Sequence, residues 1–259
     1  MKIAITGKGG VGKTFIAGTL ACRFAAAGKT TIAIDADTSP NLGLTLGLTE
    51  KELEQVIPIA ENINIIEEKT KTEYPGVFKL AFTVDDIISK EAVSTPCGVR
   101  LLIMGTVQAM GSGCACPANS LVRTLIGHLI TESDEVVILD MEAGIEHLGR
   151  GTAEHVDVML IVTDAHQASL VTAERIIRLA TKGGIPHVAL VGNRILDSGG
   201  EERIRETGTK YGIPTAACIP FDTEVLKAGV RGVSPVQMDI PGTRAISSLM
   251  DYLSEVKRV

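Results

Sequence analysis

The chain has no tryptophan, and aromatic residues are only 3 % of its 259 positions. Apolar residues are nevertheless 45 % of the total, so a sizeable core is available and must be aliphatic. Basic residues are not in excess. A net charge of −6 argues against free-standing nucleic-acid binding, which shows as a basic face. No apolar run approaches the length that spans a bilayer. The start, "MKIAITGKGG", lacks the apolar core and small-residue cleavage site of a signal peptide. These absences point to a cytoplasmic protein with neither membrane nor nucleic acid as partner. Cysteine is also scarce. Cys22, Cys97, Cys114, Cys116 and Cys218 are too few and too scattered for a disulfide scaffold, and in a reducing compartment closely spaced thiols point to metal or redox chemistry.

What is present is alternation. Short apolar runs at 2–6, 30–36, 100–105, 135–140, 156–163, 187–193 and 214–219 read as buried parallel strands. Helical segments are expected at 13–28, 120–132, 168–184, 201–212 and 243–257, and residues 67–98 as a loop with one or two helices. The last helix places Ile246, Leu249, Met250, Leu253 and Val256 on one face, with Asp251 and Glu255 among its polar residues, which suits packing on a core better than membrane anchoring. The pattern predicts an α/β fold: one doubly wound, mostly parallel sheet flanked by helices, in a single domain over 1–259.

"GKGGVGKT" at 7–14 fits G-x-x-x-x-G-K-[ST] between a strand and a helix. Backbone N–H groups of Gly9, Gly10, Val11 and Gly12 would face phosphate oxygens, with the helix N-terminus adding positive charge. Lys13 would reach the β- and γ-phosphates and Thr14 would ligate Mg²⁺. Lys8, a second lysine at the start of the loop, gives the segment a resemblance to the deviant Walker A (SIMIBI) ATPases, the MinD, ParA and nitrogenase iron-protein group. The resemblance implies a homodimer in which Lys8 crosses to the partner's phosphates, much as an arginine finger does.

Further motifs follow the other strands. In "IDADTSPNLG", Asp35 and Asp37 project to one side of an extended chain. The resemblance implies that Asp37 orients or deprotonates the attacking water, and that Asp35 lies nearer the metal. "VVILDMEAGIEHLGRGT" looks like Walker B with switch II, Asp140 holding Mg²⁺ and Gly144 and Gly149 allowing rearrangement. By the same resemblance Asn193, followed by Arg194, faces the purine edge, and the Pro220, Phe221 and Asp222 loop contacts adenine, so the cofactors are ATP or ADP with Mg²⁺. Glu142 and Glu146 could face a partner enzyme or the dimer.

Cys114 and Cys116 in "GSGCACPANS" precede a proline suited to the first position of a helix. A thiol there has a lowered pKa, and two sulfurs one residue apart can chelate one ion. Two thiolates are half of a tetrahedral site, and a twofold axis supplies the other half. The deviant Walker A motif, this C-x-C and the wording of switch II together resemble the CooC-type maturation ATPases, from Lys2 to about Phe221. That resemblance implies an ATP-dependent metallochaperone holding Ni²⁺ or Zn²⁺ between two chains. Its client would be carbon monoxide dehydrogenase or acetyl-CoA synthase. Two alternatives stand beside it: an electron-transfer ATPase resembling the nitrogenase iron protein, and a positioning or partition ATPase. Residues 141–150 contain no cysteine for the first, and the second has no need of a C-x-C.

Overall fold

The computed structural model describes residues 1–70, 83–105, 117–132, 135–144 and 155–256. Eight strands form one sheet: β1 (Lys2–Gly7), β2 (Thr31–Ala36), β3 (Val93–Ser94), β4 (Arg100–Ile103), β5 (Val136–Met141), β6 (Val158–Thr163), β7 (Val188–Ile195) and β8 (Thr215–Pro220). Their order is β3-β4-β2-β5-β1-β6-β7-β8, with every pair parallel except β3 and β4. All seven strands expected from the apolar runs are there. The two-residue edge strand β3 is the addition, too short to show as a period.

Residues of β1, β2, β5 and β6 are buried along their whole length, because helices cover both faces. The alternation of side chains divides the core in two. Ala4, Ile32, Ile34 and Leu139 face one layer, which holds α6 (Pro117–Glu132), α7 (Gln167–Lys182) and α8 (Ser198–Tyr211). Ile3, Ile5, Ala33 and Ile138 face the other, which holds α1 (Lys13–Ala26), α2 (Leu42–Thr45) and α10 (Pro241–Val256). Ile246, Leu249 and Leu253 of α10 are buried in that second layer, so its apolar face belongs to the core as expected. Among the described residues no helix is long and apolar enough to cross a membrane.

Several elements begin earlier than the apolar pattern predicts, and caps explain why. Asp197 accepts the Gly200 N–H at 2.8 Å and starts α8 through a Ser-Gly-Gly turn that propensity alone disfavours. Pro117 and Pro241 open α6 and α10 as first residues, where a missing N–H costs nothing. The region 67–98 contains the end of α4 (Ile63–Thr70) and all of α5 (Val84–Glu91), with residues 71–82 outside the described part. Three short helices, α2, α3 (Glu50–Leu53) and α9 (Thr223–Val230), went unforeseen. Thr49 and Glu52 fix α3 with a reciprocal capping box.

The helix after β1 covers one face of the sheet and those after β6 and β7 cover the other. The winding therefore reverses at β1, and a crevice opens at the carboxyl ends of β1, β2 and β5.

Candidate nucleotide site

The crevice is bounded by the loop of residues 7–14. Two of its glycines are compelled by geometry. A Cβ on Gly7 would stand 2.1 Å from the Val162 carbonyl oxygen of β6, and one on Gly12 would stand 2.3 Å from the Asn193 amide nitrogen. Both also have positive φ, 150° and 93°. Gly12 forms the N-cap of α1 without any side-chain cap, so the first N–H groups of the helix remain available to an anion. Lys13 is 6 % exposed and makes no ion pair among the described residues. Its ammonium is near enough to Asp140 to pull that carboxyl down but forms no ion pair with it, so it remains available to a phosphate oxygen. Lys8, Gly9 and Gly10 are exposed at the crest of the loop.

Asp140 ends β5 beside Ile5 on one flank and Asp35 on the other. It is fully buried, and neither carboxylate oxygen has a hydrogen-bond partner. Burial pushes its carboxyl up to about 7. The Thr14 hydroxyl and Lys13 ammonium pull it down, and the like charges of Asp35 and Asp37 push it further up. No contact of hydrogen-bonding geometry reaches its oxygens, so Thr14 acts there as a neighbouring dipole. Two orphaned carboxylate oxygens next to a hydroxyl form a set of hard oxygen donors. That set suits Mg²⁺, which takes one or two carboxylates together with substrate phosphates.

Asp35 is placed differently. It is buried at 1 % exposure, but its oxygens accept the N–H groups of Asp37 at 3.2 Å and Leu42 at 2.8 Å. Burial raises its carboxyl to about 6, opposed by the Leu42 and Asp37 N–H groups. Its visible work is to hold the loop that carries Asp37. Asp37, half-buried, in turn accepts the Ser39 N–H at 3.0 Å.

At the other end of the crevice lies a cleft of about 500 Å³ between Gly12 and Phe15 on one side and Asn193, Arg194, Pro220 and Phe221 on the other. α9 closes it with Val225 and Leu226. All five residues expected to meet the base, Asp222 included, line this cleft. Two of them also serve the scaffold. The Asn193 amide nitrogen donates one of its two N–H groups to the Val11 carbonyl at 2.8 Å, which leaves its second N–H and its oxygen facing the cleft wall. Asp222 accepts from Glu224 N–H and Gly242 N–H, both at 2.9 Å, and so clamps the starts of α9 and α10. Arg194 has φ 57°, the one positive value outside glycine among the described residues. That conformation costs about 1 kcal/mol and sits on the wall of the cleft.

Cys114, Cys116 and residues 145–152 of the second switch lie outside the described residues, although α6 does begin at Pro117. Among the described residues no group of three or more His, Cys, Asp and Glu side chains could hold a metal ion. Two of the other cysteines depart from expectation. Cys22 of α1 and Cys97, in the turn between β3 and β4, form a disulfide with Cα atoms 5.5 Å apart, and Cys218 is free. Cys22 had no sequence signal beyond its apolar helix, and its partner lies 75 residues away.

A glycine loop between strand and helix, a buried lysine and an orphaned strand-end aspartate define a P-loop NTPase. The chain belongs to the CobQ/CobB/MinD/ParA nucleotide-binding domain family, whose model matches residues 2–236. It is 41 % identical over 260 residues to an uncharacterized ATP-binding protein of Methanocaldococcus jannaschii, covering 99 % of each chain. It is also 41 % identical over 236 residues to the carbon monoxide dehydrogenase accessory protein CooC of Rhodospirillum rubrum, covering 90 % of this chain and 89 % of that one. Among solved structures, the MinC:MinD cell division complex of Aquifex aeolicus matches with a TM-score of 0.69 at 18 % identity, covering 98 % and 96 %. That likeness is one of fold.

Proposed function

We propose that this MinD/ParA-type ATPase is an ATP-dependent metallochaperone. In this reading two copies close on ATP, and Cys114 and Cys116 of each hold one Ni²⁺ or Zn²⁺ between them for delivery to carbon monoxide dehydrogenase or acetyl-CoA synthase in the cytoplasm. The observation that carries it is the 41 % identity to CooC over 90 % of this chain, together with the C-x-C in front of α6.

The ATPase half of the reading uses the crevice. Lys13 and the loop N–H groups bind the phosphates, and Thr14 and Asp140 would hold Mg²⁺, with Asp35 behind them. The ion, when bound, neutralises charge on the phosphate oxygens. Asp37 orients the attacking water, and Lys8, free at the crest, reaches the phosphates of the second copy. Asn193, Arg194, Pro220, Phe221 and Asp222 shape the cleft for the adenine.

The second reading is a positioning or partition ATPase. The match in fold to a cell-division ATPase over nearly the whole chain supports it. The buried apolar face of α10 opposes a membrane anchor made from that helix.

An anaerobic titration of reduced protein with Ni²⁺ and Zn²⁺, read by metal content and by mass in solution, separates the two. The metallochaperone predicts one ion per two chains, lost in Cys114→Ser/Cys116→Ser. Metal binding untouched by the double substitution, or none at all, leaves the positioning reading in its place.

A further inference from the structure

We infer that Glu142 is a positioning residue for hydrolysis, coupling the loop that carries Asp37 to the segment that leaves the Asp140 strand. The inference rests on the reading of Asp37 as the group that orients the attacking water.

Glu142 follows β5 by one residue and is half-buried. Its backbone is fixed to β1. The Thr6 hydroxyl donates to the Glu142 carbonyl oxygen at 2.6 Å and accepts the Gly144 N–H at 3.1 Å. Thr6 is fully buried and stands one residue before the phosphate loop, so this anchor does not drift. From it the Glu142 side chain reaches the Asp37 loop. One carboxylate oxygen accepts both the Thr38 N–H, at 3.2 Å, and the Thr38 hydroxyl.

The Asp37 loop is therefore held from two sides. Asp35 takes the Asp37 N–H from the end of β2, and Glu142 takes Thr38 from beyond the end of β5. Hydrogen bonds to an ionised acceptor are about twice as strong as neutral ones, so each carboxylate is an effective tether. Thr38 is exposed, and little apolar packing fixes it. These bonds help hold it next to Asp37. Glu142 therefore ties the loop of Asp37 to the buried frame of Thr6 and β5 through one side chain.

The test measures kcat, KM for ATP and ADP affinity in Glu142→Ala, Thr38→Val, their double variant, Thr38→Ser and Asp37→Asn. The coupling predicts a kcat loss of about 10-fold in Glu142→Ala and a smaller one in Thr38→Val. ADP affinity should stay within about twofold of the parent, because the phosphate loop is untouched. The double variant should be no worse than Glu142→Ala, and Thr38→Ser should restore kcat. The non-additivity shows that the two residues act through one contact, and a merely structural contact would lower stability and ADP affinity along with kcat rather than kcat alone. Thr38→Val keeps the test sound if Glu142→Ala does not fold. Full kcat in both single variants, or additive losses, with Asp37→Asn inactive, overturns the coupling alone. An active Asp37→Asn overturns the Asp37 reading and the coupling with it.

Discussion

At the phosphate end of the crevice both Asp140 oxygens are buried without a hydrogen-bond partner and Lys13 makes no ion pair among the described residues, whereas Asn193 and Asp222, at the base end, have their hydrogen bonds. The two ends share one ligand but treat polarity in opposite ways. Where the ligand brings charge, the protein leaves its charged groups without hydrogen-bonded partners. Where it brings a flat, weakly polar ring, the protein spends its polar groups on holding its own walls and offers shape. Substitutions at the first end should remove activity and spare or raise stability. Substitutions at the second should cost stability first.

Lys13→Ala sharpens this contrast most. ATP hydrolysis should fall by about 100-fold or more, the usual loss when a group that stabilises developing phosphate charge is removed. The melting temperature of the nucleotide-free protein should change little, since Lys13 makes no ion pair among the described residues. A large drop in melting temperature would break the comparison.

Asp140→Asn comes next, with a comparable loss of Mg²⁺-dependent turnover. It also carries a pH signature. The carboxyls of Asp35 and Asp140 are raised by burial from 3.8 to about 6 and about 7. The folded state therefore holds their protons more tightly than the unfolded chain does. Their contribution to stability is fully present below pH 3.8 and is lost as pH rises through 6 and 7. Urea titrations of metal-free protein should show stability declining across that window, and Asp140→Asn should flatten the upper part. A parent protein that gains stability there would contradict the assignment.

Asn193→Ala should act in the reverse sense to Lys13→Ala. It leaves the buried Val11 carbonyl without its donor, at a cost of about 1–3 kcal/mol read by denaturant unfolding. Phe221→Ala should be the mildest. Phe221 is 44 % exposed on the cleft rim, so its loss should raise KM for ATP a few-fold with kcat unchanged and stability within about 0.5 kcal/mol.

The strands were legible because burial on both faces leaves an unbroken apolar run, and the phosphate loop because its glycines are forced by close approach. Asp140 could be found for a related reason: four apolar residues and then an acid is a recognisable ending for a buried strand. What could not be read depends on which loops meet. Asp35 looks like a metal ligand in the sequence, and only the path of residues 36–42 reveals that its oxygens face Asp37 and Leu42. Thr38 and Glu142 are 104 positions apart, and no local pattern joins them. Asp222 sits in a stretch that reads as a loop, and its service to α10 becomes visible only once Gly242 is beside it.

The Cys22–Cys97 bond closes a ring of chain that contains β2, Asp35, Asp37 and Thr38. A protease cut anywhere inside that ring makes two fragments but not two molecules. The nicked protein stays a single species on a non-reducing gel and separates only when a thiol reductant opens the bond.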